Sequence, residues 1–115
     1  MKAKIIQNMI ELLFNETQEL RKRALLDKEL LGLSTYEVYP IFEDSISALK
    51  AAYAECSLGT INYKEAHKSI NFYKNELFKI KNINHNDCES FQKSAEKLMQ
   101  LGIATTFYIS GVENV

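Results

Sequence analysis

Residues 34–59, STYEVYPIFEDSISALKAAYAECSLG, decide how the rest of the chain is read. Val38, Phe42, Ile46, Leu49 and Tyr53 recur at the three- and four-residue steps that place side chains on one stripe of an α-helix. Roughly opposite lie Ser47, Ala51 and Ala54, small residues against which a second backbone or a partner subunit can come close. Ser34 with Glu37 matches a capping box at the start. Pro40 removes one backbone hydrogen bond and presses on the carbonyl of Tyr36, so the sequence predicts either a kink there or a regular helix starting near Tyr39. The helix is expected to stop by Gly59.

A helix with two usable sides needs neighbours, and the chain offers three. Over residues 2–28, Ile6, Met9, Ile10, Leu13, Thr17, Leu20 and Ala24 form one stripe, with Ile5 and Leu12 to one flank, the pattern of a helix touching two others. Gly32 suits the C′ position after it. Over 63–81, behind an Asn62–Glu65 capping box, Ala66, Ile70, Tyr73, Leu77 and Ile80 keep bundle spacing. Phe72 points about 200° away from that stripe, under a loop or into solvent. Over 87–106, opened by Asn86 and Glu89, the stripe is Phe91, Ala95, Leu98, Gly102, Thr105 and Ile109. An interior glycine costs a helix about 1 kcal/mol relative to alanine, so Gly102 marks a close backbone approach or the onset of fraying. The β-branched and aromatic run from Ile103 to Ile109 predicts an end near Thr106 followed by a short extended tail. The fold class is therefore all-α, a four-helix antiparallel up-and-down bundle with helices over 2–28, 35–57, 63–81 and 87–106, in a single helical domain spanning 1–115. Its core is expected to hold Ile6, Ile10, Leu13, Phe42, Ile46, Leu49, Ile70, Tyr73, Leu77, Phe91 and Leu98.

Composition narrows the function. A formal net charge of −1 lacks the clustered basic excess that nucleic acid requires. No apolar run approaches the ~20 residues of a membrane span, and Gln7, Asn8 and Glu11 interrupt the segment where a signal peptide is apolar. A cytoplasmic protein without nucleic-acid or membrane partners is expected. Cys56 and Cys88 form no disulfide framework and read as buried, inert thiols. His67 and His85 have no second ligand at helical spacing; Lys68, not histidine, stands three residues after Glu65, so the Glu-x-x-His metal pair is absent. The Arg21-Lys22-Arg23 run is neutralised by Glu16, Glu19, Asp27 and Glu29. No catalytic residues, metal or cofactor, and hence no enzyme, are expected.

What remains is binding. Tyr36, Glu37, Tyr39, Glu43 and Asp44 set phenols beside carboxylates within about two helical turns, the composition of a surface that docks a basic partner by aromatic anchors and charge steering. The competing account is internal, with these acids facing Lys64, Lys68, Lys74, Lys79 and Lys81 of the third helix.

The Tyr36-Glu37-Val38 start, the Ile46-Ser47-Ala48-Leu49 body, the Leu58-Gly59 stop, the capped third helix and Leu101-Gly102-Ile103 together resemble the small all-helical immunity proteins that bacteria pair with type VI secreted NAD(P)-glycohydrolase toxins. Relatives in that family guard against toxins that make pyrophosphorylated adenosine nucleotides. The likeness spans roughly Thr35 to Ile103, while Pro40 and a longer first helix depart from it. It implies a cytosolic inhibitor that binds a cognate toxin or effector and occludes its active site. The alternative is a small dimerising structural or regulatory protein, with Ser47, Ala51 and Ala54 at the subunit interface.

Overall fold

All the expected core side chains are buried: Ile6, Ile10, Leu13, Phe42, Ile46, Leu49, Ile70, Tyr73, Leu77, Phe91 and Leu98 are each at most 8% exposed. The computed structural model describes residues 2–26, 35–57, 61–83 and 88–110, with all side chains there except those of 24–26, 35–39, 88 and 110. These residues form helices α1 (Lys2–Leu26), α2 (Thr35–Glu55), α3 (Tyr63–Lys81) and α4 (Cys88–Ser110). They alternate in direction as an all-α, up-and-down four-helix bundle, 43 × 22 × 19 Å in extent.

The chain does not, however, visit the corners in order. Around the bundle α1 packs on α2, α2 on α4, α4 on α3 and α3 on α1, so α2 and α3 are diagonal to one another. Side-chain pairs fix the directions. Gln7 with Tyr53 and Arg21 with Glu43 make α1 and α2 antiparallel. Lys2 over the Tyr63 ring and Glu16 with Lys81 make α1 and α3 parallel. Phe42 edge-on to Phe91 and Thr106 bonded to the Ala48 carbonyl make α2 and α4 parallel. In this order α2 and α3 lie on a diagonal, and Glu43 and Lys81 each find a partner on α1 rather than in one another.

At Pro40 the structure decides between the sequence expectations, and at the end of α4 it departs from them, for identifiable physical reasons. Helix α2 begins at Thr35 and runs through the exposed Pro40 rather than starting near Tyr39. The first four N–H groups of a helix lack intrahelical partners anyway, so a proline in the sixth position removes a single bond. Helix α4 passes Thr106 and continues to Ser110, without an extended segment before that point. Its β-branched residues stay helical because tertiary contacts outweigh their local propensity: Thr105 and Ile109 are completely buried, and Thr106 donates to the Ala48 carbonyl of α2 at 2.8 Å. Phe72 is in solvent, 51% exposed. Of the capping boxes, Asn62 accepts from the Glu65 N–H at 3.3 Å; Ser34, Asn86, Gly32 and Gly59 lie outside the described residues.

The centre is polar and fully bonded. Tyr73 of α3 is completely buried, with its hydroxyl 2.7 Å from Thr17 Oγ1 on α1 and bonded also to Ser45 on α2. Thr17 donates its only proton to the Leu13 carbonyl at 2.7 Å, so Tyr73 is the donor to Thr17. Burial raises the Tyr73 phenol well above its ordinary pKa of 10.0. No described buried side-chain polar atom lacks a partner. This hydroxyl cluster is a clasp rather than a reactive site, because each group is inaccessible and bonded.

Candidate functional site

The α2–α4 and α1–α3 contacts are both parallel helix pairs, and they are built differently. Helices α2 and α4 approach most extensively and α1 and α3 least among the four packed pairs. At the α2–α4 contact the residues are small: a Cβ placed on Gly102 would lie 3.4 Å from Ala48 Cβ and 3.6 Å from the Ser45 carbonyl oxygen. Gly102 is thus a site of close backbone approach, as its position in the sequence predicts.

Between α1 and α3 the side chains are long. Ile5, Met9, Leu12 and Glu16 follow one another along the α3-facing side of α1 at four- and three-residue steps. Across from them stand Leu77, Phe78, Lys74 and Lys81, enclosing an open groove of about 350 Å³ floored by Leu13 and Ile70. Ile5, Leu12 and Phe78 are 55, 65 and 73% exposed, which leaves an apolar strip facing water. The strip is framed by charge. Lys81 is paired with Glu16, Lys74 is exposed, and at the other end Lys2 Nζ lies 5.7 Å from the centre of the Tyr63 ring.

The sequence reading had placed the binding surface elsewhere. Of its residues, the side chains of Tyr36, Glu37 and Tyr39 lie outside those described; Glu43 is half-buried and ion-paired with Arg21, and Asp44 is exposed. Ser47, Ala51 and Ala54 do not meet a second helix but face solvent. The groove was half visible in sequence: Ile5 and Leu12 stood off the α1 stripe, but they were assigned to a second buried contact. Helix α1 does touch two neighbours, yet these side chains stay outside the closed part. Phe78, next to the core residue Leu77, was the missed partner.

The remaining candidates are not brought together. Cys56 is buried, and desolvation pushes its thiol above the ordinary value of 9.0, which disfavours the thiolate. His67 is exposed; His85 and the Cys88 side chain lie outside the description. Among the described residues no three histidine, cysteine or acidic side chains form a metal-sized group, and no helix is long and apolar enough to cross a membrane. No family model, no curated protein and no solved structure matches this chain.

Proposed function

We propose that this chain is an inhibitory binding protein of the immunity type, which acts in the bacterial cytoplasm by covering the active site of a cognate toxin or effector, and that the α1–α3 groove is its principal contact surface. The observation that carries the binding half is the exposed strip of Ile5, Leu12 and Phe78. Large apolar side chains in contiguous exposure mark docking sites on soluble proteins. The groove fits an amphipathic partner segment whose apolar ridge fills it and whose acidic flank meets Lys74, with Lys64, Lys68 and Lys79 making α3 basic. Rigidity supports the inhibitory half: with the centre clasped by Tyr73, little ordering cost remains on docking. The toxin class rests on the sequence resemblance alone.

The test is binding to the product of the adjacent gene, measured with two sets of variants. Leu12→Gln with Phe78→Gln is expected to weaken binding at least about tenfold, mainly through faster dissociation. Glu43→Lys with Asp44→Lys is expected to act chiefly on the association rate. Equal binding by the groove variant, with loss in the second, would move the contact surface to Tyr36, Glu37, Tyr39, Glu43 and Asp44. A chain that recovers no partner and sediments as a dimer until Leu12 and Phe78 are replaced would instead be the dimerising helical protein.

A further inference from the structure

Helix α3 carries a second stripe besides the one it buries. Lys64, Lys68, Phe72, Asn75 and Lys79 follow one another at four-, four-, three- and four-residue steps, the spacing that lines side chains along one face of a helix, and all five are exposed. We propose that this stripe binds single-stranded nucleic acid, its lysines meeting successive phosphates and the Phe72 ring stacking on an unpaired base. Lys64, Lys68 and Lys79 have no ion pair among the described residues. Nor does Lys97 of α4, which lines a cleft of about 300 Å³ with Lys79 at the end of the stripe. The two acids of α3 leave this face to the lysines, Glu76 being 7% exposed and Glu65 half-buried.

At the helical rise per residue the stripe runs about 22 Å from Lys64 to Lys79, room for a short run of nucleotides rather than a single one. Charge alone would suit any polyanion, and Phe72 narrows the choice. Its ring is 51% exposed among the lysines. A duplex hides the faces of its bases and an acidic peptide has none, whereas an unpaired base stacks on such a ring. The formal net charge of −1 conceals this surface because the compensating acids stand on other helices, among them Glu11, Glu16 and Glu19 on α1 and Glu43, Asp44 and Glu55 on α2. Sorting of charge between helices thus supplies locally the basic excess that the chain as a whole lacks. Since no residue of the stripe lines the α1–α3 groove, the inference stands or falls apart from the docking proposal.

The experiment is fluorescence anisotropy of the whole chain with four labelled probes: oligothymidylate and oligouridylate about a dozen nucleotides long, a DNA duplex of the same length, and polyglutamate. Titrations run at about 50 and about 200 mM salt. At least one single strand is expected to bind about tenfold or more tightly than the duplex or polyglutamate, the better of the two naming the sugar. Lys64→Gln with Lys68→Gln and Lys79→Gln is expected to flatten the salt dependence by about two units of logarithmic slope, as three lost phosphate contacts require. Phe72→Ala is expected to weaken the single strand about tenfold while leaving the salt slope and the melting temperature unchanged, because the ring stacks but carries no charge and lies outside the core. Polyglutamate bound as tightly as either single strand would make the stripe a surface for an acidic protein and overturn the inference. Equal affinity for the duplex, no binding of either single strand at the lower salt, or full affinity in Phe72→Ala would each overturn it as well.

Discussion

Two parallel helix pairs stand on opposite sides of this bundle, and they end in opposite states. Between α2 and α4, Ala48 and Gly102 let the backbones come close enough for the Thr106 hydroxyl to bond the Ala48 carbonyl of the other helix at 2.8 Å. Between α1 and α3 the flanking side chains are Leu12, Phe78, Lys74 and Lys81, and a groove stays open above Leu13 and Ile70. Side-chain size at the seam therefore decides which pair becomes core and which becomes surface. The small-residue seam gives up apolar area for backbone proximity; the large-residue seam keeps its area available to something else.

The sharpest way to break this contrast is to put a large residue into the closed seam. Gly102→Leu is expected to destabilise the fold by about 3 kcal/mol, since its branch would meet Ala48, the Ser45 backbone and the Tyr73 ring. Gly102→Ala is expected to stay within about 1 kcal/mol of the parent, because the added Cβ makes an ordinary contact at 3.4 Å and gains helix propensity. Denaturant midpoints at constant slope would show both. If leucine were accepted as readily as alanine, the seam would be looser than its geometry implies.

A smaller effect is expected at the clasp. Tyr73→Phe removes a bond to Thr17 while leaving Thr17 and Ser45 their own helix carbonyls, on Leu13 and Ile41, so the loss should be about 1 to 2 kcal/mol. Its pH dependence is separate. Burial raises the folded-state pKa of the phenol, so its contribution is fully present below the unfolded value near pH 10 and is lost as pH rises above it. The decline approaches about 1.4 kcal/mol per pH unit for one proton. Cys56, also raised by burial, begins a similar decline from its ordinary value of 9.0. Urea midpoints at about pH 8 and about pH 11 should therefore separate more in the parent than in Tyr73→Phe; equal separations would show that the phenol ionises in the folded state.

The smallest change in stability is expected in the open seam. Leu12→Gln and Phe78→Gln should each lie within about 0.5 kcal/mol of the parent, because both side chains face water already. A loss as large as that of Tyr73→Phe would mean that the groove is closed by α1 and α3 themselves in solution, and the docking proposal would lose its support.

How much of this was legible beforehand follows the same division. The eleven expected core residues carried a 3.6-residue period with little polar interruption, and every one is buried. Thr17 was placed correctly because it falls on the apolar stripe, although its partner Tyr73, 56 positions away, was beyond reach of any local pattern. The end of α4 was misread because propensity for Thr105, Thr106 and Ile109 favours extended chain; burial against α2 and α3, which propensity does not include, reversed it. In the candidate site, Ile5 and Leu12 were seen as a second apolar flank, while their exposure was not. A flank looks the same in sequence whether a neighbour covers it or stops one side chain short.

The chain by itself therefore determined the number of helices, their alternation in direction and the residues that turn inward, because helical period and short connections act locally. Only the tertiary structure decided that α2 and α3 sit on a diagonal, that Glu43 belongs to Arg21 rather than to the α3 lysines, and that Lys79 and Lys97 share a cleft. These depend on which faces of four helices meet, and that choice is made by the fit of side-chain volumes across the whole bundle, with small residues drawing one parallel pair together and large ones holding the other apart.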